Sequence, residues 1–280
     1  EGGDALVAQT RIDHGHDLEG LGIGDAPAAA GIAGDSAAAT KGEQLNTTGS
    51  NQALATYASQ IGSKFYVAAW EGTSRFIPTV VTSGTQPQYE QVSYSAESGW
   101  TSASTYRWAD DQSLAFYAYA NLPATVEDEV EASIACGSST EQVLTYSVVP
   151  ADAMKQNDIL MGYFTGTGND NKDDSKKLKK ADITFYHPMT AVRFVKGEFT
   201  GMESVKFKAI YLSQIYKSGT ATMTPSSIAE EDPGDKFIWT NLSSTMQQAE
   251  LKAGGDGYLS VDATTYVIGE PFIIIPQNLE

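Results

Sequence analysis

The sequence predicts an all-β protein, built as two antiparallel β-sandwich domains in tandem. Three observations lead there. Strand-length segments rich in aromatic and β-branched residues recur from Lys64 to Ile275, with Gly, Ser and Thr between them. Helical periodicity is nearly absent, which argues against βαβ units. A polar, highly charged stretch at 166–180 (GTGNDNKDDSKKLKK) interrupts the series in a chain of 280 residues, more than one ordinary sandwich needs.

Taken in order, residues 1–60 form an N-terminal arm that belongs to the first domain. Ala5-Leu6-Val7-Ala8 is a candidate first strand ending near Arg11, and the low-complexity run from Gly20 to Thr40 reads as a long loop. Residues 61–180 make the N-terminal sandwich. Its strands are expected at Phe65 to Trp70, Phe76 to Val81, Tyr89 to Tyr94, Leu114 to Ala120, Val143 to Val149 and Ile159 to Phe164. Residues 181–280 make the C-terminal sandwich. It opens with one run through Ile183, Phe185, Val192 and Phe194. In Ser204 to Leu212, Val205, Phe207, Ala209 and Tyr211 alternate with Lys206 and Lys208, the period of a half-buried strand with lysines outward. Segments at Phe237 to Trp239, Tyr258-Leu259, Tyr266 to Ile268 and Phe272 to Ile275 complete the set. Gln52 to Gln60 and Ser226 to Asp232 each have room for a helical turn, which leaves the class unchanged.

Charge narrows the partners. Thirty-five acidic against 18 basic residues give a net −17, a field that repels phosphate backbones and anionic lipid, so no nucleic acid is expected. Apolar residues make up 41% of the chain, which excludes a wholly disordered protein. No apolar run approaches the ~20 residues that span a bilayer. No basic and apolar leader opens the chain, so residue 1 reads as the start of a mature or trimmed form. The single cysteine, Cys136, reads as a small buried apolar group rather than a nucleophile.

Several clusters carry residue types used in catalysis or metal binding, and each has a plainer reading. Asp13-His14-Gly15-His16-Asp17 has metal-ligating residue types, but lacks an obvious distant ligand and reads as a solvated tail. Asn169 to Asp174 resembles a calcium loop without its turn glycine or closing glutamate. Gly20-Leu21-Gly22-Ile23-Gly24 follows no strand and precedes no phosphate-binding lysine. Pairs such as Asp110-Asp111 and Glu127-Asp128-Glu129 are ordinary in so acidic a chain. Hence neither a catalytic group, a metal site nor a cofactor is expected. Trp100, Tyr106 and Trp108 are the residues best suited to stack a sugar, and also suited to core and rim packing.

The order Phe65-x-Val67-x-Ala69-Trp70, Trp100 to Trp108, then Leu114-x-Phe116-Tyr117-Ala118-Tyr119 resembles the N-terminal half of the Bacteroidetes fimbrillin family, subunits of type V pili. Asp158 to Met161 is similar to the segment closing that half, and Ile183 to Phe194 to the strand opening the second. Phe272-Ile273-Ile274-Ile275-Pro276-Gln277 is similar to the late apolar–Pro–Gln signature.

The resemblance covers about residues 60–280. It implies Greek-key, transthyretin-like sandwiches, export as a lipoprotein to the outer membrane, and partnership with other pilin subunits. Assembly would follow proteolytic release of the first strand, the opened groove accepting a neighbour's strand. Arg11 is then the processing candidate, an ordinary surface arginine being the alternative; no other arginine precedes Arg75. His187 reads as a structural histidine hydrogen-bonded at the domain junction. Family members continue past the Pro–Gln signature, so a chain ending at Glu280 is either cut short or a divergent, terminal subunit. The lipid-bearing N-terminal cysteine is not in this sequence. The competing functions are a non-polymerising carbohydrate-binding or adhesive surface lipoprotein, contacting host or bacterial glycans or proteins, and a secreted hydrolase.

Overall fold

The structure is a computed structural model. It describes residues 44–45, 63–78, 89–96, 99–102, 104, 106, 108, 111–123, 132–168, 172–173, 178–179, 181, 183–192, 194, 204–229, 236–253, 257–262 and 268–277. The candidate first strand, Arg11, the Asp13–Asp17 cluster, the glycine run and Glu127 to Glu129 lie outside them. Strands, numbered in chain order, dominate the described residues; the α-helix among them, α1, is the four-residue Pro225–Ile228, and Ala153–Lys155 forms a 3-10 turn. The chain is an all-β sandwich protein with antiparallel sheets.

The larger sheet holds β1 (Gln44–Leu45), β2 (Lys64–Glu71), β3 (Ser74–Ile77), β4 (Glu90–Ser95), β5 (Gly99–Ser102), β6 (Ser113–Ala120), β9 (Leu160–Thr167) and β12 (Ile183–Tyr186). Its order is β1-β12-β9-β6-β2-β4-β5, with β3 folded back on β2. The central strands are apolar at successive positions because both faces are covered. Phe65, Val67 and Ala69 of β2 join Leu114, Phe116 and Ala118 of β6 in one cluster. Ala68 and Trp70 join Tyr117 and Tyr119 in another, on the opposite face. Gly162 of β9 lies where β12 crowds closest. A Cβ there would sit 2.8 Å from Ile183 Cγ2 and 3.2 Å from Phe185 Cδ1, so no larger residue fits without displacing them.

The second sheet has order β17-β16-β8-β7, from β7 (Ala132–Ala135), β8 (Gln142–Tyr146), β16 (Gly219–Met223) and β17 (Ile238–Thr240). Its inner residues, including Ile134, Leu144, Tyr146, Ala221 and Met223, close over Tyr117 and Tyr119 to form the main core. Backbone pairing crosses the 166–180 stretch at several places, β1 with β12 among them. β12 adds to β9 (Phe185 opposite Gly162), and β16 adds to β8 (Gly219 opposite Tyr146). Inside that stretch, β10 (Lys172–Asp173) pairs with β11 (Leu178–Lys179), and β9 itself runs on to Thr167.

Three further pairs complete the fold: β13 (Thr190–Val192) with β20 (Phe272–Ile274), β14 (Ser204–Phe207) with β19 (Leu259–Asp262), and β15 (Ala209–Tyr216) with β18 (Met246–Lys252). β20 explains its unbroken apolar run. Phe272 and Ile274 enter a cluster with Ile215, Ala249 and Leu251, while Ile273 and Ile275 face the main core.

Two expected strands are divided. The Ile183 to Phe194 run splits into β12 and β13 around His187-Pro188, since proline lacks the N–H that a ladder needs. The 204–212 run breaks at Lys208, which shifts the alternation by one. Ile210 and Leu212 now pack inward and Tyr211 is 52% exposed, against the face predicted for it.

Candidate functional site

The three aromatics singled out by sequence lie in or beside the larger sheet, packed against its apolar residues. Trp100, on β5, is 7% exposed and wedged between Phe65, 5.0 Å away, and Tyr94, 5.5 Å away. Trp108 is half-buried; its Nε1 donates to Gln112 O at 2.7 Å and its ring lies 5.3 Å from Phe116. Tyr106, also half-buried, stands 6.1 Å from Phe76, and desolvation lifts its hydroxyl pKa despite a hydrogen bond with Ser104. All three pack against the same apolar cluster.

His187 has a partner that local sequence could not reveal. Its Nδ1 lies 3.0 Å from Asp158 Oδ1 and 2.8 Å from Oδ2. Asp158 O in turn accepts from Asn121 Nδ2 at 3.2 Å. The set ties the end of β6, the approach to β9 and the exit of β12, a joining role between strand ends that are 29 or more residues apart.

Cys136 sits at the bottom of the main core, 1% exposed. Trp70 Nε1 donates to its sulfur at 3.2 Å, the thiol donates to Ser138 O, and Arg75 Nη2 donates to its carbonyl at 2.7 Å while stacking 4.4 Å over the Trp70 ring. Burial pushes the thiol pKa up to about 11. Such a thiol is protonated at neutral pH and a poor nucleophile. Desolvation likewise raises Tyr89, Tyr117 and Tyr119 well above the usual phenol range. Among the described residues, no group of three His, Cys, Asp or Glu is arranged to hold a metal, and no helix is long and apolar enough to cross a membrane.

The polar side chains that sequence reasoning missed are glutamines. Buried Gln142 donates to Tyr89 Oη at 3.2 Å and Ala118 O at 3.1 Å, linking the two sheets. Gln156 donates to Pro150 O and accepts from Ile273 N at 2.7 Å, serving the edge of β20 as a strand would. Gln277 accepts from Tyr216 N at 2.9 Å and donates to Gln214 O at 2.7 Å, bracing a bulge in β15 where Gln214 has φ +60°. An amide carries both a donor and an acceptor and so mimics a peptide group. The residue type alone gave no signal; only the position of Gln277 just after an apolar run and a proline hinted at it.

The N-terminal region meets the larger sheet at one described place, where Gln44 and Leu45 pair with Thr184 and Ile183 on the outer edge of β12. Beneath that edge Ile183 and Phe185 are 5% and 2% exposed.

Fold and polar network together define a sandwich protein whose buried hydrogen-bonding side chains join strands to one another. Residues 53–280 match the fimbrillin-like family, and the chain belongs to it. No curated protein and no solved structure matches the chain. The family is one of structural pilus proteins, which makes this chain a pilus subunit or adhesin of cell-surface fimbriae.

Proposed function

We propose that this chain is a non-catalytic stalk or tip subunit that joins other pilin subunits by β-strand exchange, after proteolytic removal of its first strand. The observation that carries the reading is the β12 edge. Near one rim of the larger sheet, the four-residue β12 is paired among the described residues by two residues of β1, above buried Ile183 and Phe185. An edge with unpaired N–H and C=O groups over apolar side chains is a template for an incoming strand. A donor placing ~4–5 apolar side chains there, at ~1.5–3 kcal/mol each, forms a joint that dissociates very slowly.

Arg11 is the proposed cleavage point, and export as a lipoprotein anchored in the outer membrane belongs to the same reading. The burial of Trp100 favours subunit packing over a sugar platform. The test is to treat purified monomer with an arginine-specific protease, sequence the new N-terminus and image the product by electron microscopy. Filaments whose subunits begin at Ile12 are expected. Filaments retaining an intact Arg11–Ile12 bond would reject the cleavage point, and processed chains that never polymerise would reject strand exchange.

A further inference from the structure

The outer face of the β17-β16-β8-β7 sheet has an order that its register makes visible. Ser133, Thr145, Thr220 and Thr240 stand directly opposite one another, one per strand, and form a row of hydroxyls across the whole sheet. The next row along the strands is Ala135, Val143, Thr222 and Ile238. Their sequence neighbours Ile134, Leu144, Ala221 and Trp239 point the other way, into the main core. Five of the eight are exposed, Ile238 by 54%, and Val143, Thr220 and Thr222 are half-buried. None of the eight is ionisable, in a chain whose net charge is −17.

We propose that this face docks on the same face of a second copy of the chain, side by side. Two copies that each carry −17 repel wherever acidic surfaces meet. An uncharged sheet face is where that opposition is least, and stacked sheets approach to ~10 Å. The pattern is also self-complementary about a two-fold axis parallel to the strands. Such an axis keeps each row facing its own counterpart and reverses the strand order. Hydroxyls then meet hydroxyls, Thr145 opposite Thr220 of the second copy, and the row's smallest side chain, Ala135, meets its largest, Ile238. An axis along the rows would set hydroxyls against the apolar row and is disfavoured.

Size sets the setting. Four strands at ~4.8 Å spacing and ~5 residues at ~3.4 Å give a face of ~300 Å². Some 600 Å² for the pair falls below the ~1,200 Å² of stable complexes, so isolated chains associate only weakly. In a filament the same contact repeats along its length, and avidity multiplies it. The inference therefore rests on the pilus reading for its biological setting, where it predicts lateral bundling, but not for the contact itself.

Sedimentation of the full chain from micromolar to millimolar concentration tests the contact. A weak monomer–dimer equilibrium is expected, weakened at least tenfold by Thr222→Glu and by the more peripheral Thr240→Glu, with circular dichroism verifying that each variant folds. In a mixture of Ala135→Cys and Ile238→Cys chains, a bismaleimide should yield heterodimers in excess over either homodimer. A chain that stays monomeric throughout, a dimer indifferent to both glutamates, or cross-links without heterodimer preference would overturn the proposal. So would binding of a soluble polysaccharide to this face with no self-association. Single, unbundled pili would sink the lateral role while leaving strand exchange intact; dimers without any pili would keep the contact and sink strand exchange.

Discussion

The β2–β6–β9 ribbon and the β15–β18 pair are both long antiparallel pairings, yet they are stabilised differently. β6 and β9 match residue for residue over eight pairs, from Ser113 opposite Thr167 to Ala120 opposite Leu160. Aromatic rings fill both sides; Tyr117 is fully buried on one and Phe116 is 6% exposed on the other. The β15–β18 pair shifts register between Leu212 and Ile215, shows Tyr211 and Met246 to solvent, and relies on Gln277 to complete its backbone hydrogen bonds. A strand covered on both faces has no spare side on which a bulge can bend. A strand with one wet face tolerates the bulge, provided a side-chain amide replaces the lost ladder bonds.

The sharpest way to break this contrast is in the larger sheet that holds the ribbon. Phe185→Ala, at the β12 end of the doubly covered sheet, is expected to cost about 3–5 kcal/mol in denaturant unfolding, because it opens a cavity that close neighbours cannot fill. Next comes alkaline pH. Cys136 has its folded pKa raised from 9.0 to about 11. Its contribution is therefore fully present below pH 9.0 and lost as pH rises toward 11, roughly 2–3 kcal/mol in all. The raised tyrosines Tyr89, Tyr117 and Tyr119 act in the same direction. Thermal melts across that window should fall for the native chain and fall less for Cys136→Ala.

At the β15–β18 pair the expected effects are smaller. Gln277→Ala removes two hydrogen bonds to β15 and should cost about 1–3 kcal/mol, with faster amide hydrogen exchange at Tyr216 as its local signature. Tyr211→Ser, on the wet face, should stay within about 0.5 kcal/mol. A large loss there would show that the outer face of the β15–β18 pair is covered and would collapse the comparison.

Much of the strand content was legible. Phe65 to Trp70 and Leu114 to Ala120 match β2 and β6 to within a residue at either end, because runs of aromatic and β-branched residues bounded by turn formers have few other ways to fold. Alternation failed where the backbone changed phase, at Lys208, and where a proline ended a ladder, at Pro188. The candidate stacking residues were found by type, but the neighbours that enclose them, Phe65 and Tyr94 for Trp100, follow from sheet order alone. The His187–Asp158 pair and the Gln142, Gln156 and Gln277 bridges were invisible, since nothing local distinguishes a bridging amide from a solvated one.

By itself, then, the sequence determined the all-β class, most strand positions, the acidic field and the fimbrillin likeness, because these depend on residue type and on spacing within a few positions. Tertiary structure alone decided that β12 joins β9 and β16 joins β8 across the charged stretch, that β20 serves two cores at once, and that four hydroxyls fall in line on one outer face. Pairing between strands dozens of residues apart is chosen by which faces must be covered together, and that choice belongs to the assembled sheets rather than to any one segment.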